Sequence, residues 1–265
     1  MIRRDLFGQR IAPDWGGAAA SARRVLAELD VPDPRLGTVE ALASLRGLEV
    51  REAPIQGARA NLVRLGKRGM VTVSSELSHE ERRFAIAHEL GHFELHKDES
   101  YLGLCTGEQL VTDYEGGGAE AEANAFAAEF LMPAKLFQPR TQAREVTWDV
   151  PRRLSDEFQV TLSAAALRFA ELSDERTAVV YSVDARVKWT RRSRTFGKII
   201  ERGAKLDGYS LAIDAFAGKA LPTRQESVEA SAWKPDARDD EILKEHSFFI
   251  PSLRAVMTLL WLPVR

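Results

Sequence analysis

The tightest constraint in this chain is five residues long: His88-Glu89-Leu90-Gly91-His92, an H-E-x-x-H sequence inside a run that reads as a buried helix. Ser78, with Glu81 three residues later, predicts a capping box, in which the hydroxyl and the carboxylate each satisfy a backbone donor left free at a helix start. Past that start, Phe84, Ile86, Leu90 and Phe93 fall on several faces of the helix, the pattern of a segment packed on all sides. Histidines four residues apart share one face, so such a helix carries two imidazoles into an interior. Buried imidazoles need a shared partner, and a metal ion is one.

Zinc takes neutral imidazole nitrogen at about 2.0–2.1 Å, and catalytic sites usually combine three protein ligands with a position left for water. Glu89 sits about 100° around the helix from His88. It borders an ion held by His88 and His92 without needing to bind it, and can act as general base toward a water whose pKa the metal lowers to about 7. The third ligand must come from another segment. Glu120, Glu122 and Glu129 lie on the next predicted helix, AEAEANAFAAEFLMP, whose apolar stripe is Ala119, Ala123, Phe126, Ala127 and Phe130 and which Pro133 ends. Glu120 and Glu122 each lie roughly 80° from the stripe centre, on opposite sides, so periodicity does not choose between them. At least two of the three glutamates are expected to be solvated surface carboxylates.

The rest of the chain divides into three blocks. Residues 1–47 form an N-terminal helical segment, with Ala22, Val25, Leu26 and Leu29 at helical spacing and a second helix from Thr38, its N-cap, to Leu45, stopped by Gly47. Residues 48–174 form a core. Leu48–Arg51 is a short strand, and Asn61–Leu65 with Met70–Ser74 reads as a hairpin around a four-residue turn, Gly66–Gly69. A loop from 97 to 118 holds Cys105, and a helix pair fits 151–172. Residues 175–265 change character: AVVYSV, RVKW, SVEASAW and AVMTLLWL are β-type runs, giving an α+β module. The fold class expected for the whole chain is α+β.

Composition narrows the function. Against 39 acidic residues stand 37 Lys and Arg, a net charge of −2, which excludes a global polycation built to coat nucleic acid. The single cysteine excludes an intrachain disulfide and a multi-cysteine zinc cluster, and suits a reducing, cytoplasmic setting. The early arginines lead into no signal-peptide core, and AVMTLLWLPV is about half of the roughly 20 residues needed to span a bilayer, so no membrane partner is expected. The helix pair has the outline of a helix-turn-helix, but its second helix offers only Arg168, with Glu171 beside it. Completion of the core is therefore the favoured reading over direct DNA contact. The basic run Lys188–Arg194 reads as a solvated strand edge.

With Phe84 and Ala87 before it and His96 after it, His88–His92 is followed about 30 residues later by Glu122-Ala123-Asn124, Phe126-Ala127 and Leu131-Met132-Pro133. Together these motifs resemble the ImmA/IrrE family of zinc metallopeptidases over roughly residues 40–140. The resemblance implies a gluzincin-like core of a small sheet and active-site helices. It implies Zn2+ held by His88, His92 and Glu122, with Glu89 as the catalytic base, although imidazole and carboxylate also admit Mn2+. It further implies an endopeptidase whose protein substrate is a helix-turn-helix transcriptional repressor, cleaved in a stress, DNA-damage or mobile-element response. His96 and Tyr114, with Tyr101 nearby, are the candidates to orient a ligand or to donate to the transition state. The alternative is a non-catalytic metal-binding regulator that binds a repressor or DNA, or a phage or toxin–antitoxin component.

Overall fold

A computed structural model describes residues 14–96, 102–105 and 118–263. The fold is α+β, and the chain forms two compact units. One comprises Met1–Leu136 with Asp156–Ala164; the other comprises Phe137–Ser155 with Ala165–Arg265.

In the first unit, α1 (Trp15–Glu28) opens at Asp14, whose carboxylate accepts from the Gly17 amide at 2.8 Å. Thr38 caps α2 (Val39–Leu45) as expected. Gly47 then takes φ +88° where a Cβ would meet the Lys67 carbonyl oxygen at 2.9 Å, so only glycine lets the chain turn here into β1 (Leu48–Ala53). The sheet also contains β2 (Ala60–Leu65), β3 (Arg68–Ser74) and β4 (Leu102–Cys105) in the order β1-β3-β2-β4, with β1 parallel to β3 and the other pairs antiparallel. The hairpin turn is two residues, not four. Arg64 pairs with Gly69 and Leu65 with Arg68, because Gly66 at φ +62° supplies the tight reversal that matches strand twist. Cys105 belongs to β4, an edge strand, rather than to a loop.

The capping box at Ser78 and Glu81 starts α3 (His79–Leu95) as predicted. Every residue from Arg83 to Glu94 is buried, since α3 packs at once against β2, β3, α1, α2 and α4 (Ala119–Leu131). Gly91 marks the α3–α4 crossing: a Cβ there would stand 3.1–3.2 Å from Phe126 Cβ and from the Ala123 backbone. A glycine in the motif and an alanine opposite let the two backbones approach closely enough for side chains one turn away to meet.

Three short helices, α5 (Ala134–Phe137), α6 (Asp149–Phe158) and α7 (Leu162–Leu172), are each divided between the two units along the chain. Arg168 is buried and ion-paired with Glu171 at 3.2 Å, so the one cation available for DNA reading in α7 is committed inside the protein.

The second unit holds a five-stranded antiparallel sheet: β5 (Thr177–Val183), β6 (Arg186–Arg192), β7 (Glu226–Glu229), β8 (Ile242–Ile250) and β9 (Ala255–Trp261), in the order β6-β5-β9-β8-β7. Its core joins Val180, Val187, Phe196, Trp233, Leu243 and Leu260, and α8 (Leu211–Phe216) packs on β8 and β9. The basic run lies on β6, an edge strand. Two expectations need correction. SVEASAW is extended only to Glu229 and then makes a 3-10 turn over Ala230–Ala232. The longest strand, β8, was not anticipated, because the face it buries reads Leu243, Glu245, Ser247 and so hides its alternation behind polar residues.

Candidate metal centre

On α3, His88 and His92 turn their Nε2 atoms toward each other at 3.0 Å, with ring centroids 4.7 Å apart. The carboxylate that meets them is Glu120. Its two oxygens lie 3.3 Å from His88 Nε2 and 3.3 Å from His92 Nε2. One ligand atom from each of these three residues falls within 4.8 Å of the others, the only such group among the described residues. Ligands at about 2.0–2.1 Å from an ion in a tetrahedron stand about 3.3 Å apart, so the spacing fits one ion.

Glu122, the ligand expected from the motif, points elsewhere. Its Oε2 is 3.0 Å from His96 Nε2, and its Oε1 accepts from the Asp14 amide at 3.1 Å. The crossing at Gly91 and Ala123 explains the exchange. Glu120, three residues before Ala123, lies about 60° from the crossing direction, whereas Glu122 lies about 100° away on the other side. None of the three is a solvated carboxylate: Glu122 and Glu129 are buried, and the Glu120 side chain is 14% exposed. The wheel argument presumed one solvated face, and α4 has none. Glu129 instead pairs with Arg23 at 3.2 Å. Tyr101 and Tyr114 lie outside the described residues.

Hydrogen bonds fix which nitrogen each imidazole presents. His88 Nδ1 is 2.8 Å from Asn124 Oδ1, and His92 Nδ1 is 3.0 Å from His96 Nδ1. An amide oxygen only accepts, so the His88 proton resides on Nδ1 and its Nε2 lone pair faces the cluster. Burial lowers the His92 pKa to about 4, outweighing the adjacent Glu120 carboxylate that raises it, so that ring is neutral and able to ligate. Burial pushes Glu120 upward, but the two imidazoles beside it, His88 and His92, outweigh it and hold the carboxyl well below its ordinary range. Lone pairs and an ionised carboxylate aimed at one point repel each other unless a cation sits among them. This donor set therefore fits a divalent metal.

Beside the cluster, Glu89 is 1% exposed, and its Oε2 has no hydrogen-bond partner among the described residues. Burial raises its pKa to about 7; the neighbouring His88 opposes that rise and the Glu120 charge adds to it. Asn124 was not anticipated by sequence reasoning. The available signal was its spacing of one turn from Glu120 on α4.

A helix carrying H-E-x-x-H, crossed by a second helix that supplies a carboxylate, defines a class of metallopeptidase-like folds. The family model of the IrrE N-terminal-like domain, peptidase M78, matches residues 43–170. A solved structure with similar fold, a Mycobacterium tuberculosis transcriptional regulator, is 16% identical with a TM-score of 0.57, over 92% of this chain and 87% of that one. No curated protein sequence matches the chain.

Proposed function

We propose that this chain is a zinc-dependent endopeptidase that hydrolyses a peptide bond in a protein substrate, a helix-turn-helix transcriptional repressor, within a stress, DNA-damage or mobile-element response in the cytoplasm. The observation that carries the reading is the convergence of His88 Nε2, His92 Nε2 and the Glu120 carboxylate next to a buried glutamate oxygen that has no partner among the described residues. The match to the IrrE N-terminal-like domain supports a peptidase-type regulator. The fold neighbour is described as a transcriptional regulator, which agrees with a role in transcription control.

His88, His92 and Glu120 would hold the ion. A divalent cation there supplies Lewis acidity, acidifying water and polarising the scissile carbonyl. Glu89 takes the proton from the attacking water and returns it to the leaving amine nitrogen. A carboxyl with a pKa of about 7 is suited to both halves of that exchange near neutral pH. Asn124 holds the His88 ring in its ligating orientation.

Elemental analysis of the purified protein tests the site before any substrate is known. One equivalent of zinc is expected in the wild type and in Glu122→Ala at saturating metal, but not in His88→Ala or Glu120→Ala. Cleavage of a protein-derived peptide library, mapped by mass spectrometry, then tests the activity. A wild type that binds zinc and cleaves no better than Glu89→Gln makes the protein a metal-binding regulator instead.

A further inference from the structure

The ordinary reading of a polar pair such as His96 and Glu122 is a buried hydrogen bond that holds two helices together. The geometry points to more. It forms an ordered chain: the Asp14 amide donates to Glu122 Oε1 at 3.1 Å, Glu122 Oε2 lies 3.0 Å from His96 Nε2, and His96 Nδ1 lies 3.0 Å from His92 Nδ1. All three side chains are buried. Glu122 Oε1 accepts the Asp14 amide and Oε2 accepts from His96 Nε2, so the hydrogen between the two side chains belongs to His96. A neutral imidazole with its hydrogen on Nε2 has Nδ1 as an acceptor. That acceptor takes the hydrogen from His92 Nδ1, which leaves the His92 Nε2 lone pair directed at His88 and Glu120.

We propose that Glu122 and His96 are positioning residues that set the tautomer and ring orientation of His92, and that Asp14, at the head of α1, anchors the chain by its backbone amide. The inference rests on the metal reading above. It also assigns separate tasks to the two acidic residues of Glu120-Ala121-Glu122: the first faces the ion, the second faces the histidine behind the ligand. His96 stands two turns from His88 and one turn from His92 on the same face of α3, so the helix presents a row of three imidazoles. The chain differentiates that row into two ligands and a support.

Groups that orient a ligating histidine typically contribute 10–100-fold to metal affinity. The test is the Zn2+ dissociation constant, read by competition with a chromophoric chelator, together with the visible spectrum of the Co2+-loaded protein. His96→Ala and Glu122→Ala are each expected to weaken Zn2+ binding by about 10–100-fold and to alter the Co2+ bands. His96→Gln, whose amide oxygen can accept the same hydrogen, is expected to stay within a few-fold of wild type. The double variant His96→Ala/Glu122→Ala should be no weaker than His96→Ala alone, because Glu122 acts only through His96. A structural pair would predict additive losses and no recovery by glutamine, and that result overturns the proposal. Wild-type affinity and spectrum in both single variants overturns it too. A wild-type protein that binds no Zn2+ removes the metal reading itself, an outcome distinct from these because it appears before any variant is made.

Discussion

Two buried glutamates, one in each unit, show opposite ways of placing a carboxylate in a protein interior. Glu245 on β8 is fully buried and saturated. It accepts from the Ala212 amide at 2.7 Å, the Leu211 amide at 3.1 Å, Trp233 Nε1 at 2.7 Å and Ser247 Oγ at 2.9 Å. Glu89 on α3 is equally enclosed, yet one of its oxygens has no partner among the described residues. Burial raises the pKa of both. Leaving a polar group unsatisfied in an interior costs on the order of 1–3 kcal/mol. The fold removes that cost at Glu245, where the carboxylate ties α8 and Trp233 to the sheet, and retains it at Glu89, where an incoming water and amine would supply the missing partners.

The comparison breaks most easily at Glu89. Replacement by glutamine keeps size and polarity but removes the base, so turnover should fall by about 10²–10⁴-fold, the usual contribution of a positioned proton-transfer group. Metal content should be unchanged, since Glu89 is not among the converging ligands. Single-turnover cleavage of the mapped substrate, with zinc measured on the same sample, checks both halves. Full activity in the variant makes the unsatisfied oxygen irrelevant to chemistry.

At Glu245 the expected effect is on stability alone. Glu245→Ala strands two backbone amides, an indole N–H and a hydroxyl, and should cost on the order of 3–5 kcal/mol. Glu245→Gln keeps one acceptor and should cost less. Urea unfolding followed by tryptophan fluorescence reports it, because Trp233 is itself one of the donors. Zinc content should not move in either variant. An alanine variant as stable as wild type would show that the four bonds contribute nothing beyond their appearance.

A third test uses pH, in metal-free protein. Glu89 keeps its proton up to about 7 when folded, whereas the unfolded chain releases it near 4.5. Between those values the folded state binds more protons, so this residue makes stability fall as pH rises. His92 acts in the opposite sense. Its folded pKa is about 4 against 6.5 unfolded, so its contribution grows as pH rises between those values. The two trends oppose each other in the wild type. Glu89→Gln removes only the first, so the variant should gain on the wild type by about 3 kcal/mol between pH 4.5 and 7. Urea midpoints in EDTA at several pH values measure the gap, and a constant gap contradicts the raised carboxyl.

How much of this was readable in the sequence follows the same division. Local rules gave the capping box, the Thr38 cap, the α3 and α4 helices and the pairing of His88 with His92, because each depends on residues a few positions apart. The identity of the third carboxylate depends on where two helices cross. Gly91 against Ala123 sets that crossing, and no periodicity within α4 reveals it. Glu120 faces the two imidazoles and Glu122 faces His96, both from within the interior, so the assumption of a solvated face on α4 gave no basis for choosing between them. Strand β8 was hidden for a related reason: its inward face carries Glu245 and Ser247, whose partners come from segments more than ten residues away.

The smallest expected effect marks the outer limit of the comparison. Ser78 and Glu81 also form a polar pair: Ser78 Oγ accepts from the Glu81 amide at 3.3 Å, and Glu81 Oε2 accepts from the Ser78 amide at 3.0 Å. Ser78 is exposed, so water can replace what a substitution removes. Ser78→Ala should cost about 1 kcal/mol, the usual value of a helix cap, although it starts the helix that carries the ligands. Zinc affinity should stay at the wild-type value, because α3 is buried from Arg83 to Glu94 and the cap lies more than two turns before His88. A drop in affinity from this variant, measured by the same chelator competition, would mean that the ligands respond to the stability of the helix as a whole. The distinction between site and scaffold would then fail within α3 itself.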